Sequence, residues 1–366
     1  MKHQLLLSVL LLFLSHYSFS QKFNTEAVVK FWEITSILQE DREIPDSIWE
    51  SYSNLPGVKK YITNNRSEEN LKAHRKYLEL FFKPSLSDSL AEMIGDEKLK
   101  NDDIFQNMKY LKENEEKLKL FTHEITSPTY LDSAIELTKK YLPAGNKNTS
   151  IGDLNIYIQP ITYDAAVQGK DMYYGLSIVH DFDKFQIGTV AAHELHHVLR
   201  NNKEIKNSLS EKDSASVWVI SKINNEGSAD LIDKVLVVEH ENDLFLGSLF
   251  NQILLQNIDP VMVEIDNALS LNSRKNEKFV TVKDFNKIIK YFSGHIPGFY
   301  MAEVIKRNGY EKQLIEGCEN PFNIFYLYNK AAKNDPGKPF TYSQETIEYL
   351  KNLERKAYDS PSTTIN

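Results

Sequence analysis

Cysteine is nearly absent from this sequence: among 366 residues there is one, Cys318. A single thiol excludes an intrachain disulfide and any cysteine-rich metal cluster. Standing alone, it reads as a small buried hydrophobe. Glycine and proline are scarce, at 14 and 12 residues, which excludes a collagen-like or wholly disordered chain. Positive charge is short as well. The 43 basic residues face 51 acidic ones, a formal charge of -8, so there is no electrostatic footprint for nucleic acid. The sequence has no Gly-x-Ser-x-Gly elbow, no Gly-x-Gly-x-x-Gly fingerprint and no P-loop. What remains is an ordinary globular balance, sized for one large domain or two modest ones.

The amino terminus stands apart. Lys2 and His3 precede a largely apolar run from Leu5 to Leu14, followed by Ser18-Phe19-Ser20 before Gln21. This is the n-region, h-region and small-residue pattern of a cleaved secretory signal peptide. The run falls short of the roughly 20 apolar residues that span a bilayer, so no stable membrane anchor is expected. No cysteine follows it to carry a lipid. The expectation is a secreted or periplasmic protein, cut after Ser20.

Past the leader the periodicity is helical. From Thr25, the residues Val28, Phe31, Trp32, Ile34, Ile37 and Leu38 recur at helical spacing. Further helices are expected over residues 69–83, 87–95 and 102–122, and one from Pro128 that stops at Pro143. Two strands are expected, 153–159 and Tyr173–Val179. Helical spacing then returns. Residues 322–332 and 341–357 read as closing helices, the second with a capping box between Thr341 and Gln344. The fold class is therefore mainly α with a small β-sheet.

The chemistry concentrates in Ala191-Ala192-His193-Glu194-Leu195-His196-His197-Val198-Leu199. It holds His-Glu-x-x-His at His193, Glu194 and His197. Two histidines four apart on a helix lie nearly one above the other, so both imidazoles can face one metal. Zn2+ accepts imidazole nitrogen, and the intervening glutamate turns toward the open coordination position, where it can take a proton from water. His196 lies on a neighbouring flank and reads as packing. A catalytic zinc usually has three protein ligands. A metzincin would place glycine and histidine at the positions of Arg200 and Lys203, so that class is excluded. The inverted His-x-x-Glu-His order is absent too.

A later carboxylate supplies the remaining option. In Asn225-Glu226-Gly227-Ser228-Ala229-Asp230, Glu226 and Asp230 share a helix face. One carboxylate can ligate the metal while the other accepts the free N–H of a ligating histidine. Small Gly227 and Ala229 let this helix approach the motif helix closely. Asp233 and Lys234 read as surface.

Together, His193-Glu194-x-x-His197 and Asn225-Glu226-x-x-x-Asp230 resemble the gluzincin clan of zinc metallopeptidases, and more closely exported bacterial zinc-dependent peptidases of unknown function. The resemblance implies that His193, His197 and Glu226 ligate zinc, that Glu194 is the general base, and that Asp230 orients a histidine. It implies a zincin-like catalytic core over residues 146–310, with a helical region before it (21–145) and C-terminal helices after it (311–366). It further implies that the strand Tyr173–Val179 forms the cleft edge along which an extended peptide pairs. A tyrosine or histidine commonly assists the developing oxyanion in such enzymes; His295 and Tyr300, at a helix start after Gly294, are the candidates. The Gly-x-Met-Glu-Asn sequence of the large aminopeptidase branch is missing, so specificity for a free amino terminus does not carry over. The expected function is hydrolysis of a peptide or protein substrate by zinc-activated water. The rival is a secreted zinc-containing binding or structural protein without turnover.

Overall fold

Helices account for most of the computed structural model, which describes residues 23–358 apart from 153, 206–207, 276–277 and 291. The leader expected over residues 1–20 lies outside the described residues. The protein is mainly α with one small sheet. No helix among the described residues is long and apolar enough to cross a membrane.

The chain divides into two compact units, each drawn from two stretches. The first takes the chain up to Asp132 and Gly152–His180; the second takes Ser133–Ile151 and the chain from Asp181 onward.

The first unit contains the sheet. Its strands are β1 (Phe23–Asn24), β2 (Asn155–Gln159), β3 (Ala165–Gln168) and β4 (Asp171–Gly175), ordered β1-β2-β4-β3. β2 runs parallel to β1 and β4, with Ile156 opposite Met172, and β3 is antiparallel to β4. Ile156, Ile158, Met172, Tyr173 and Tyr174 are all buried, which accounts for the near-continuous apolar character of the two inner strands. Helices Glu26–Gln39, Pro56–Asn65, Glu68–Phe82 and Asp103–Glu113 supply the rest of this core through Phe31, Tyr61, Leu78 and Phe105.

Four expectations need correction. The strand expected over Tyr173–Val179 ends at Gly175, and Leu176–Asp183 is a helix. A Cβ at Gly175 would meet the Thr162 carbonyl oxygen at 2.4 Å and that of Asp164 at 2.7 Å. The glycine therefore marks a close backbone approach that closes the strand, and Leu176, Val179 and Phe182 recur at helical spacing beyond it. Nor is this strand an edge: β4 is paired on both sides, by β2 and β3, so its backbone offers no free row for an incoming peptide. The helix expected over residues 102–122 is broken at Asn114 into Asp103–Glu113 and Glu115–Glu124. The last helix is Gln344–Tyr358, capped not by Thr341 but by Ser343, whose hydroxyl accepts the Thr346 N–H at 3.2 Å.

The second unit is helical. Three helices position its polar core: the motif helix Thr189–Leu199, the long helix Glu211–Glu239 and the His295 helix His295–Arg307. The long helix and the His295 helix meet at Gly227 and Gly298. A Cβ on Gly227 would lie 2.5 Å from the Gly298 carbonyl oxygen, and one on Gly298 would lie 2.6 Å from that of Ile223. Only glycine allows the two backbones this contact. Helices Gly247–Ser273, Asn323–Asn334 and Gln344–Tyr358 complete the unit, burying Met262, Leu269, Phe325, Tyr328 and Leu350.

Candidate metal centre

The four-residue spacing of His193 and His197 places both imidazoles on one face of the motif helix. Their Nε2 atoms lie 3.0 Å apart. Glu226, from the long helix, brings Oε2 to 3.4 Å from His197 Nε2 and 3.8 Å from His193 Nε2. The three side chains are nearly enclosed, at 5%, 11% and 10% exposure. Their donor atoms fall within 4.8 Å of one another. The fit to a metal is good. For ligand bonds of 2.0–2.1 Å, a tetrahedral site separates its ligand atoms by about 3.4 Å, which the observed 3.0, 3.4 and 3.8 Å bracket. Two imidazole nitrogens facing each other this closely need a proton or a cation between them.

The residue that orients His193 is Asp233. Its Oδ1 lies 3.0 Å from His193 Nδ1, whereas Asp230 Oδ1 is 3.9 Å away. The Nδ1–H thus donates to Asp233, leaving Nε2 to face the donor set. Asp233 is buried, and Lys234 donates to its other oxygen at 2.6 Å. The surface reading of Asp233 and Lys234 is therefore wrong. Asp230, fully buried, instead holds His295, whose Nδ1–H donates to its Oδ1 at 2.7 Å. His295 Nε2 then lies 3.4 Å from Glu226 Oε2, and the ring keeps 23% exposure.

Sequence reasoning overlooked Asp233, although the spacing could have found it: 226, 230 and 233 step along one helix face. It also overlooked Arg200 and Asn225. Arg200 donates to Ser228 Oγ at 2.8 Å and to Asn225 Oδ1 at 2.5 Å, and Asn225 Nδ2 reaches Glu226 Oε1 at 3.4 Å. Glu194 sits beside His193, 7% exposed. Tyr300 is not brought to the cluster. Its ring lies tilted against Tyr328, centroids 6.3 Å apart, and it bonds Arg307. Five residues beyond His295, it turns to another face of their helix. His196 is fully buried against the Tyr141 carbonyl, 3.2 Å from Nε2. Cys318 is buried too, and burial pushes its thiol up to about 12.

The electrostatics favour a cation. Burial pushes the His193 imidazolium toward losing its proton, but Asp233 and Glu226 outweigh that and hold its pKa well above the ordinary value, against Lys234. His295 is raised in the same way: burial lowers it, and Asp230 and Glu226 more than compensate. Glu226 is held well below the usual carboxylate range, because His295 and His197 overcome the cost of its burial. Both shifts mark carboxylates that call for positive charge on His193 and His295. A divalent ion would supply that positive charge.

Two imidazoles and a carboxylate from two packed helices thus form a donor set that could hold a metal ion. Residues 49–337 match the family described as "Putative zinc dependent peptidase (DUF5700)", and the chain belongs to that family. No curated protein and no solved structure matches the chain.

Proposed function

We propose that the chain is an exported gluzincin-type zinc peptidase in which His193, His197 and Glu226 hold the metal. The observation that carries this reading is the convergence of the three donor atoms, 3.0–3.8 Å apart, on a helix where Glu194 directly follows His193. Zinc, when bound, polarises a scissile carbonyl and eases deprotonation of water. The protein's own groups do the rest. Glu194 takes the proton of the attacking water and returns it to the leaving amine. His295, fixed through Nδ1 by Asp230, presents Nε2–H to the carbonyl oxygen as negative charge develops there. Asp233 fixes the tautomer of His193. The low exposure of the donor set keeps bulk water from screening these interactions. The leader read over residues 1–20 supports export, checked by the amino-terminal mass of the mature protein; cleavage elsewhere than after Ser20 refutes that site.

The 3.4 Å separation of His295 Nε2 from Glu226 Oε2 also supports the rival, a zinc-containing binding protein without turnover in which His295 closes the site. One experiment separates them. Purified protein and a His295→Ala variant are assayed for zinc content and for hydrolysis of a quenched-fluorescent peptide library. The peptidase reading expects zinc-dependent hydrolysis that the variant loses while keeping its zinc. Loss of zinc from the variant, with no hydrolysis by the parent, establishes the rival.

A further inference from the structure

The second unit also contains a pocket of about 730 Å³. Its wall includes Arg200, three residues beyond His197, and Asn225, the neighbour of Glu226. In a chain with a formal charge of -8, this lining is inverted: Arg200, Lys203 and Lys222 face one carboxylate, Glu204. None of the three cations is ion-paired among the described residues. Lys203 is exposed, its ammonium resting 4.2 Å from the centroid of the Tyr358 ring, and Lys222 is half-buried.

Arg200 differs. It is only 3% exposed, and burial lowers its affinity for its proton. Neutral groups hold one part of its guanidinium: the Asn224 carbonyl, Ser228 Oγ and Asn225 Oδ1. Nε has no acceptor. A buried guanidinium whose carboxylates, Glu226 and Glu319, act only from a distance, and whose Nη atoms bond only neutral groups, is left short of a direct anionic partner. Much of the remaining wall is apolar, from Ile205, Leu209, Val217, Trp218, Pro321 and Tyr358, which suits a peptide better than a naked ion.

Resting on the peptidase reading, we propose that this pocket recognises a carboxylate of the peptide substrate, either its C-terminal carboxylate or an acidic side chain close to the scissile bond. Arg200 forms the floor, and Lys203 and Lys222 form the rim. The hydrogen-bonded link Arg200–Asn225–Glu226 ties this pocket to the candidate donor set.

The test uses zinc-loaded full chain and four labelled peptides of one sequence, crossing a free C-terminal acid with its amide and an internal Glu with Gln. Binding is read by fluorescence anisotropy in the Glu194→Gln protein, and kcat and KM in the parent. Loss of the charged partner should weaken binding about 10-fold or more, as charge-assisted bonds do. An effect of amidation alone identifies the C-terminus as the source; an effect of Glu-to-Gln exchange alone identifies the side chain. Lys203→Glu combined with Lys222→Glu, both at the rim, should abolish the preference with zinc content unchanged, which avoids relying on a buried Arg200 variant. Equal binding of all four peptides, or a preference that survives rim reversal, overturns the pocket. A carboxylate preference in binding without any hydrolysis keeps the pocket and refutes the peptidase reading. Hydrolysis with no such preference does the reverse.

Discussion

His74 and His193 are both buried histidines, and the units that hold them have treated burial in opposite ways. His74, in the first unit, has one polar partner, the Tyr52 hydroxyl at 2.9 Å, and burial drives its pKa down to about 3. His193, in the second, is surrounded by carboxylates that hold its pKa well above the ordinary value despite burial. The contrast extends to the whole units. Among the described residues, the first buries Thr35, His74, Asn107, Gln159, Thr162 and Ser177, with no buried Asp, Glu, Lys or Arg. The second buries Glu194, Arg200, Asp213, Glu226, Asp230, Asp233 and others. Burial alone silences an imidazole; burial beside fixed carboxylates arms it. Charge of this kind is expensive in a core, so its confinement to one unit marks where the chemistry lies.

The largest test of this contrast is on turnover. Glu194→Gln should lower kcat by about 10²–10⁴-fold, the usual contribution of a general base, with zinc content unchanged by elemental analysis. His74→Asn should leave zinc content at the parent value; loss of metal there would erase the distinction between the two histidines. Next comes affinity. Asp233→Asn should weaken zinc binding by about 10–100-fold in chelator competition, and Asp230→Asn by less. The Asp230 variant should instead shift the pH profile of kcat, because it acts through His295. Equal losses of affinity would mean that both carboxylates serve His193.

The last test concerns pH and stability. A His74 held near 3 in the folded state binds no proton where the unfolded chain, titrating near about 6.5, already does. The unfolded state therefore gains protons as pH falls from about 6.5 toward 3, and stability falls by up to about 1.4 kcal/mol per pH unit over that window. His74→Asn should flatten that slope in urea melts, and a slope unaltered by the substitution would locate the acid sensitivity elsewhere.

Much of the centre was legible because its rules are local. The four-residue repeat of His193 and His197, and of Glu226 and Asp230, depends only on helix geometry. Which carboxylate meets which histidine depends on how three helices rotate against one another, and no local spacing records that. Asp233 thus passed for surface, and Asp230 for the partner of a metal ligand. His295 was reachable from its place after Gly294, but Tyr300 shared the same segment, and only the helical phase separates them. In the sheet, the alternating stretch ending at Gln159 was readable as a strand. The apolar run after Gly175 was not, since Leu-Ser-Ile-Val fits either period over four residues.

The contact between Gly227 and Gly298 has a consequence for how this protein breathes. Where two backbones touch without side chains between them, neither helix can loosen by a rotamer change; separation requires opening the pair. The amides around Ile223–Asp233 and those of the His295 helix should therefore exchange with solvent as one cooperative unit. His295 and Glu226, carried on opposite sides of that contact, keep their 3.4 Å spacing until that unit opens.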